Sequence, residues 1–310
     1  MPAVLMKEDT VVTDDSVVDS LMSLLGVKEE WRGCISVLAQ QPNLTSYVSV
    51  QAKRQGTIPS PECILTPLRV LRPQDVRMLV FGQDPYPRPA SAVGIAFCDG
   101  EVRSWDMRLS PSLRNIIKDV LISADHADPK TKVGPLRTKL AEMRVPSPQE
   151  WFHSTQAQGV LWLNTALTFS GKDAPTLAKH IAFWRPFVDA VIQTTVAARA
   201  EAGKAEVEGS GLVTLMWGGK ALKLKPVVEA AAEKTGCRVV YVERRHPAVE
   251  AFHQNNTFRG VRAAFDELGM AQIDWVRPDS GEGEGEGTEG DIEAERKIKS
   301  LDAFSLISNK

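Results

Sequence analysis

Four short apolar runs, separated by longer helix-like stretches, constrain the fold of this chain more than any other feature. The runs lie at residues 77–81 (RMLVF), 160–163 (VLWL), 212–217 (LVTLMW) and 238–242 (RVVYV). Each is almost continuously apolar, as expected for a strand that is buried on both faces. Connections of this length favour parallel crossovers between the strands. We therefore predict an α/β fold: a single domain with a four-stranded, mainly parallel sheet flanked by helices on both faces.

The helix-like stretches lie at residues 112–124, 182–200 and 221–234, with an amphipathic stretch at 17–27. Pro186 is predicted in the first turn of its helix, because a missing N–H costs nothing there.

Charge divides the chain into segments. Residues 1–30 are a weakly patterned N-terminal extension, residues 31–276 form the predicted domain, and residues 277–310 form an acidic Gly/Glu linker and tail that we expect to be disordered. Residues 1–278 carry 33 of the 37 basic and 30 of the 39 acidic side chains, a net charge of +3. This balance permits a polyanionic partner. The tail could be a docking element for a protein partner.

Composition also bears on the compartment and on metals. The chain has no apolar run of the roughly 18 residues that span a membrane, and its acidic start excludes a secretory signal peptide. We expect an intracellular protein, cytoplasmic or nuclear and not secreted. Its cysteines are isolated and lack metal-ligand spacing, so we expect reduced thiols and no bound metal. They are Cys34, Cys63, Cys98 and Cys237.

Polar residues follow all four predicted strands. Residues 82–87 (GQDPYP) follow the first, 164–165 (NT) the second, 218–220 (GGK) the third and 243–247 (ERRHP) the fourth. In open parallel sheets the carboxyl ends of the strands form the site. A carboxylate, an amide, an imidazole and several cations should therefore meet at one edge of the sheet.

These loops belong to a larger set of motifs. In chain order they are GQDPY at 82–86, GIAF at 94–97, PSLRNI at 111–116, QGVLWLNT at 158–165, WG at 217–218 and HP at 246–247. In this set the chain resembles the family 1 uracil-DNA glycosylases over roughly residues 55–270. The resemblance implies a monomeric DNA-repair hydrolase that flips uracil out of single- or double-stranded DNA and cleaves its N-glycosidic bond by water attack. It would release free uracil and leave an abasic site, without a cofactor, a metal or lyase activity.

The resemblance also implies roles for the residues that match the motifs. Asp84 would orient the water and stabilise positive charge on the sugar. His246, with the Gln83 backbone N–H, would donate a hydrogen bond to uracil O2.

The uracil-binding residues come from three further motif positions. The Asn164 amide would pair with O4 and N3–H and so reject cytosine. Tyr86 would exclude the thymine methyl group, and Phe97 would stack on the base.

Contacts to the DNA backbone, which position DNA without reading its sequence, are assigned to residues beside these loops. They are Pro111, Ser112, Gly218, Gly219, Lys220, Arg244 and Arg245.

The chain departs from the family pattern where the DNA would be gripped. Pro87 stands in place of a histidine, Gly219 and Ala248 in place of serines, and Glu250 in place of the leucine that wedges into the base stack. We therefore predict a working uracil pocket with weaker duplex handling and a preference for single strands.

Two residues near Glu250, Val249 and Phe252, are candidates to replace the wedge. Two alternative functions stay open at this point: a catalytically weak DNA-binding or interaction protein on the same fold, and a glycosylase for another damaged base. Uracil release and a panel of lesion oligonucleotides would distinguish these alternatives.

Overall fold

A parallel four-stranded sheet forms the centre of the protein. The computed structural model describes residues 15–205 and 209–276. The strands are β1 (Met78–Gly82), β2 (Val160–Asn164), β3 (Leu212–Trp217) and β4 (Val239–Arg244). All neighbours pair in parallel, in the order β2-β1-β3-β4. Each strand coincides closely with one of the apolar runs, and the predicted fold class is confirmed.

Burial of the strands explains their apolar sequences. Every residue of β1, β2 and β3 is buried, whereas β4 lies at the edge of the sheet and is only partly buried. Successive side chains of a strand point to opposite faces. Accordingly, Leu79 and Phe81 join one hydrophobic cluster and Met78 and Val80 join another. The sheet therefore needs a helical layer on each face.

Helices supply these two layers. Their bounds are α1 (Asp15–Leu25), α2 (Arg32–Ala39), α3 (Leu44–Tyr47), α4 (Val50–Arg54), α5 (Thr66–Val70), α6 (Pro111–Ser123), α7 (Val133–Glu142), α8 (Pro148–Ala157), α9 (Ala174–Ala205), α10 (Gly218–Leu222), α11 (Lys225–Thr235) and α12 (Thr257–Glu267). Short 3-10 helices lie at Glu29–Trp31, Pro61–Cys63, Pro73–Asp75 and Glu250–Asn255. Helices α1, α2, α9 and α11 cover the face of Leu79, and α6, α7, α8 and α12 cover the face of Met78.

Two helices differ from the sequence prediction. Helix α9 begins at Ala174, so Pro186 lies inside it and the placement in its first turn was wrong. Proline removes the hydrogen bond to the carbonyl four residues earlier. Both Pro186 and Ala182 are exposed, so water can reach this carbonyl. The stretch 221–234 is divided between α10 and α11.

The N-terminal segment contributes to the core. Val18, Leu21, Met22 and Leu25 of α1 are buried in the cluster that contains Leu79. We therefore propose that the domain begins with α1 rather than at residue 31. The tail after residue 276 lies outside the described residues. Within the described ranges, no helix is both long and apolar enough to cross a membrane, and the four cysteines are free.

Candidate active site

The carboxyl ends of the strands bring the predicted residues to one edge of the sheet. Gly82, the last residue of β1, is paired with Asn164, the last residue of β2. Beside them, β3 ends at Trp217 opposite Arg244 of β4. The loops that carry Asp84 and His246 begin within a few residues of these ends, and helix α10 begins at Gly218 directly after β3.

Asn164 occupies a buried position that Gly82 makes possible. A Cβ atom at Gly82 would overlap Asn164 Oδ1 and would also crowd Ala96. The Asn164 side chain, of which only 4% is exposed, can therefore lie across the end of β1. The Thr165 N–H donates to the Gly82 carbonyl at 3.0 Å. The Thr165 hydroxyl donates to the Gln83 carbonyl at 2.9 Å, which ties the two strand ends together.

Phe97 is held in a strained backbone conformation. Its φ is +65°, a region that bulky residues rarely adopt and that is often associated with function. The Tyr86 hydroxyl donates to the Phe97 carbonyl at 3.2 Å and lies 3.1 Å from the Ser110 hydroxyl. The Phe97 ring meets Trp217 edge to face, with 5.3 Å between ring centroids. Burial raises the pKa of Tyr86 to about 12, which keeps its hydroxyl protonated.

The backbone of its own loop fixes the tautomer of His246. The Ala248 N–H donates to His246 Nδ1 at 3.1 Å, so that nitrogen carries no proton and the neutral ring bears its proton on Nε2. Burial lowers the pKa of His246, which also favours the neutral ring. The ring centroid lies 6.1 Å from that of Phe97. A side chain at Gly218 would meet His246 Cβ at 3.2 Å, so this glycine gives the imidazole its space.

Asp84 lies in a partly buried loop after β1. Burial raises the pKa of its carboxyl group above the ordinary value, and this effect outweighs a hydrogen bond from the Gln83 side chain and the charge of Lys220, which both lower it. Lys220 is therefore close enough to act on Asp84 electrostatically.

The other residues assigned to the DNA backbone are distributed around this edge. Pro111 and Ser112 form the first turn of α6, which Ser110 caps by accepting from the Leu113 N–H at 3.2 Å. Free N–H groups at a helix N-terminus are suited to bind phosphate.

Gly219, which follows β3, and Arg245, which follows β4, are both exposed to solvent. A side chain at Gly219 would meet nothing within 4 Å. Arg244 is directed elsewhere, because its guanidinium lies against Gly260 of α12.

Burial distinguishes the two residues that were candidates for the wedge. Phe252 is 1% exposed and packs against Trp217 with 5.8 Å between ring centroids, so its proposal as a wedge was wrong. Val249 is 41% exposed and stays available. Both Pro87 and Ala248 are exposed.

Helix α6 contains two residues that the sequence analysis missed. Asn115 Nδ2 donates to the Pro247 carbonyl at 2.7 Å, directly beside His246. Asp119 Oδ2 accepts from the Phe258 N–H at 3.3 Å, and Asp119 Oδ1 lies 3.7 Å from His253 Nδ1. Asn115 and Asp119 lie four residues apart, among the apolar residues of α6. This spacing could have indicated two buried polar side chains with hydrogen-bond partners. Helix α6, which begins at Pro111, thus also holds the loop of His246.

A second buried network braces the loop after Asn164. His180 Nδ1 lies 2.8 Å from the Thr168 hydroxyl, and His180 Nε2 lies 2.8 Å from the Ser170 hydroxyl. The Trp184 indole N–H donates to the same Thr168 hydroxyl at 2.7 Å. No sequence motif around His180 indicates that its ring joins this network. In the described part of the chain, no three His, Cys, Asp or Glu side chains are grouped so that they could hold a metal ion.

Known proteins share this fold and much of this sequence. Uracil-DNA glycosylase 2 from Streptomyces avermitilis is 30% identical over 261 residues, which cover 82% of this chain and 96% of the relative. Uracil-DNA glycosylase from Streptococcus uberis is 29% identical over 73% of this chain and 88% of the relative. The wild-type UNG crystal structure from Nitratifractor salsuginis superposes with a TM-score of 0.63 and 27% identity, covering 84% of this chain and all of that chain. No protein-family model matches.

The fold and the residues at its strand ends define an α/β enzyme of the DNA glycosylase class. At this identity and coverage, the chain belongs to the uracil-DNA glycosylase family, whose members are hydrolases of base excision repair. The enzyme class recognised from the motifs is confirmed.

Proposed function

We propose that this enzyme releases uracil from DNA and leaves an abasic site. The observation that supports this most directly is the convergence of Asn164, Phe97 and a neutral His246 around the carboxyl end of β1. A stacked base cannot be reached inside a duplex, so the uracil nucleotide must be flipped out before reaction.

Base selection is assigned to the buried Asn164 and the partly buried Tyr86. The Asn164 amide donates to uracil O4 and accepts from N3–H. Cytosine presents the opposite pattern, and a site with buried unpaired groups rejects the wrong base by about 10⁴–10⁵. Tyr86 is held by hydrogen bonds to Phe97 and Ser110, so its ring forms a rigid barrier against a methyl group at C5.

Bond cleavage separates charge between sugar and base. His246 Nε2–H donates to O2 as negative charge develops there, together with the Gln83 N–H. Because the proton on Nε2 is fixed by the Ala248 N–H, the donor requires no rearrangement during the reaction. The Asp84 carboxylate stabilises the positive sugar and directs water to C1′.

We further propose that the enzyme is a monomer, needs no cofactor and has no lyase activity. We infer that Val249 acts as the wedge and that DNA is held through Ser112, Gly218, Gly219, Lys220 and Arg245. Both relatives named above are bacterial, which supports a cytoplasmic rather than a nuclear location. Partner binding by the tail stays a prediction from sequence alone.

Uracil release from an oligonucleotide with a single uracil tests the proposal, beside Asp84→Asn and Asn164→Asp. We expect release by the parent, a loss of about 10³-fold or more in Asp84→Asn, and new cytosine release by Asn164→Asp. The absence of lyase activity predicts an intact strand until hot alkali is added. If the parent leaves uracil in both single and double strands, the proposal fails.

A further inference from the structure

The segment from Tyr86 to Asp99 forms a closed loop that carries two of the proposed uracil-binding rings. The Tyr86 hydroxyl donates to the Phe97 carbonyl at 3.2 Å, which is the first closure of the loop. The second is an isolated antiparallel bridge between Ala92 and Asp99. A change in either closure should therefore move the rings of Tyr86 and Phe97 relative to each other.

A buried carboxylate secures the second closure. The Asp99 side chain is 5% exposed, and both of its oxygens accept hydrogen bonds. Oδ2 accepts from Arg88 Nη2 and Oδ1 accepts from the Glu101 N–H, each at 3.0 Å. A buried charge is costly unless it is paired and hydrogen-bonded, so Asp99 depends on Arg88. Because Arg88 lies two residues after Tyr86 and Asp99 two residues after Phe97, this ion pair joins the two ends of the loop that carry the rings.

Arg88 is held by more than its bond to Asp99. Its Nε donates to the Ser91 hydroxyl at 2.9 Å and lies 2.8 Å from Glu101 Oε2. Its carbonyl accepts from the Ser91 and Ala92 N–H groups at 3.1 Å, which forms the turn of the loop. The side chain is 60% exposed, yet its guanidinium is directed back onto the loop. A planar guanidinium that donates from two nitrogens fixes direction as well as distance, which a lysine ammonium cannot do.

The ion pair lies close to the ring that is proposed to exclude thymine. Burial is the main cause that raises the pKa of Tyr86 to about 12, while the charge of Asp99 adds to this effect and the charge of Arg88 opposes it. Both charged groups are therefore near the Tyr86 hydroxyl. A steric barrier against one methyl group discriminates only as far as its position is fixed, because the ring needs to move by little to admit the methyl.

We propose that Arg88 and Asp99 are positioning residues of the base pocket, and that their ion pair holds the Tyr86 and Phe97 rings at the spacing that admits uracil and excludes thymine. The assignment rests on the proposed function for its substrate. The pair acts through the loop that it closes and does not need to touch the base. It also accounts for the φ of +65° at Phe97, since such a conformation persists only where surrounding contacts over-determine it.

Arg88→Gln tests the inference, because it leaves the buried charge of Asp99 without its partner. The preference for uracil over thymine, measured as the ratio of kcat/KM values on the two oligonucleotides, should fall by about tenfold, within the usual contribution of one methyl group. The amide hydrogens of residues 86–101 should exchange faster with solvent. The matched control is Arg103→Gln, which removes an exposed guanidinium just after this loop and should match the parent.

A second substitution separates the ion pair from a direct contact between Arg88 and DNA. Arg88→Gln/Asp99→Asn removes the unpaired charge and keeps an acceptor for the Glu101 N–H, so it should recover most of the preference and of the slow exchange. Arg88→Lys keeps the positive charge without the planar fork and should recover less. Full recovery in Arg88→Lys with none in the double variant would overturn the inference.

Hydrogen exchange distinguishes a failure of the inference from a failure of the proposed function, because it requires neither DNA nor catalysis. Exchange in β1, β2 and β3 should stay as slow as in the parent, which shows that each variant is folded. Parent-like exchange of residues 86–101 in Arg88→Gln, in a protein that releases uracil, would overturn the inference alone. Faster exchange that the double variant reverses, in a protein that releases no uracil, would overturn the proposed function and leave the role of the pair in holding the two rings standing.

Discussion

The proposed base pocket (Asn164, Phe97 and His246) and the proposed DNA-gripping edge (Gly219, Ala248 and Val249) differ in how firmly the protein holds their residues. Asn164 is 4% exposed and fits into space left by Gly82, and His246 is fixed through a backbone N–H. At the gripping edge, Gly219 faces open space and Val249 is 41% exposed. The serines of the family pattern are absent at Gly219 and Ala248, which are both exposed. The hydrogen bond to His246 does not need a serine side chain, because the backbone N–H of Ala248 donates it.

After Asp84→Asn, the largest effect should follow from removing His246, the proposed donor to the leaving group. Replacing His246 with Ala removes the hydrogen bond to developing charge on O2, so kcat should fall by about 10²–10³-fold. KM for single-stranded substrate should change much less, because this bond strengthens chiefly in the transition state. Single-turnover kinetics measure both values. An equal rise in KM with unchanged kcat would contradict the role.

Tyr86 should govern discrimination at C5. In Tyr86→Ala the methyl barrier is removed, and the preference for uracil over thymine should fall by about 10–200-fold, the usual contribution of one methyl group to selectivity. Competition between uracil and thymine oligonucleotides measures this ratio. Tyr86→Phe is the matched control: it keeps the ring, removes both hydrogen bonds and should retain most of the preference.

Asn115 links the two regions, and its loss should be intermediate. Asn115→Leu leaves the Pro247 carbonyl without its donor, which should lower the free energy of unfolding by about 1–3 kcal/mol. The loosened His246 loop should lower kcat by about tenfold. If Asn115 positions His246 through this bond, Asn115→Asp at a pH where its carboxylate is ionised should not rescue kcat, because a carboxylate cannot donate to the Pro247 carbonyl. Asn115→Gln keeps an amide donor and should partly restore kcat. Equal kcat values in all three variants would contradict positioning.

The pH profile should report how Asp84 is tuned. Its pKa is raised by burial, so activity that needs the carboxylate is lost as the pH falls through a value above 3.8. The pKa of His246 is lowered, so the neutral donor is lost only below 6.5. The acid limb of kcat should therefore lie above 3.8, the ordinary pKa of an aspartic acid. Lys220→Gln removes a charge that favours the carboxylate and should move the limb to higher pH by less than about one unit. A shift to lower pH would contradict this.

The sequence predicted the sheet and the site edge because both depend on local signals. The buried strands are continuous apolar runs, and the motif residues lie directly after them. Other features depend on contacts between distant segments. The burial of Phe252 against Trp217 and the bond from Asn115 to Pro247 join residues far apart in the chain. Pro186 was misplaced because an exposed proline is tolerated inside a helix that packing already stabilises.

The smallest effect is expected from restoring the two serine hydroxyl groups that the chain lacks at Gly219 and Ala248. Gly219→Ser and Ala248→Ser restore hydroxyl donors at exposed positions, and a side chain at Gly219 meets nothing within 4 Å. A hydrogen bond to DNA is worth about 1 kcal/mol net, so the double variant should raise kcat/KM on duplex substrate by about fivefold or more. Activity on single strands should change less, because a single strand does not have to be opened before the uracil nucleotide is flipped out. The ratio of the two rates, measured at one salt concentration, tests both statements. Equal gains on both substrates would contradict a role of the two missing hydroxyl groups in strand preference.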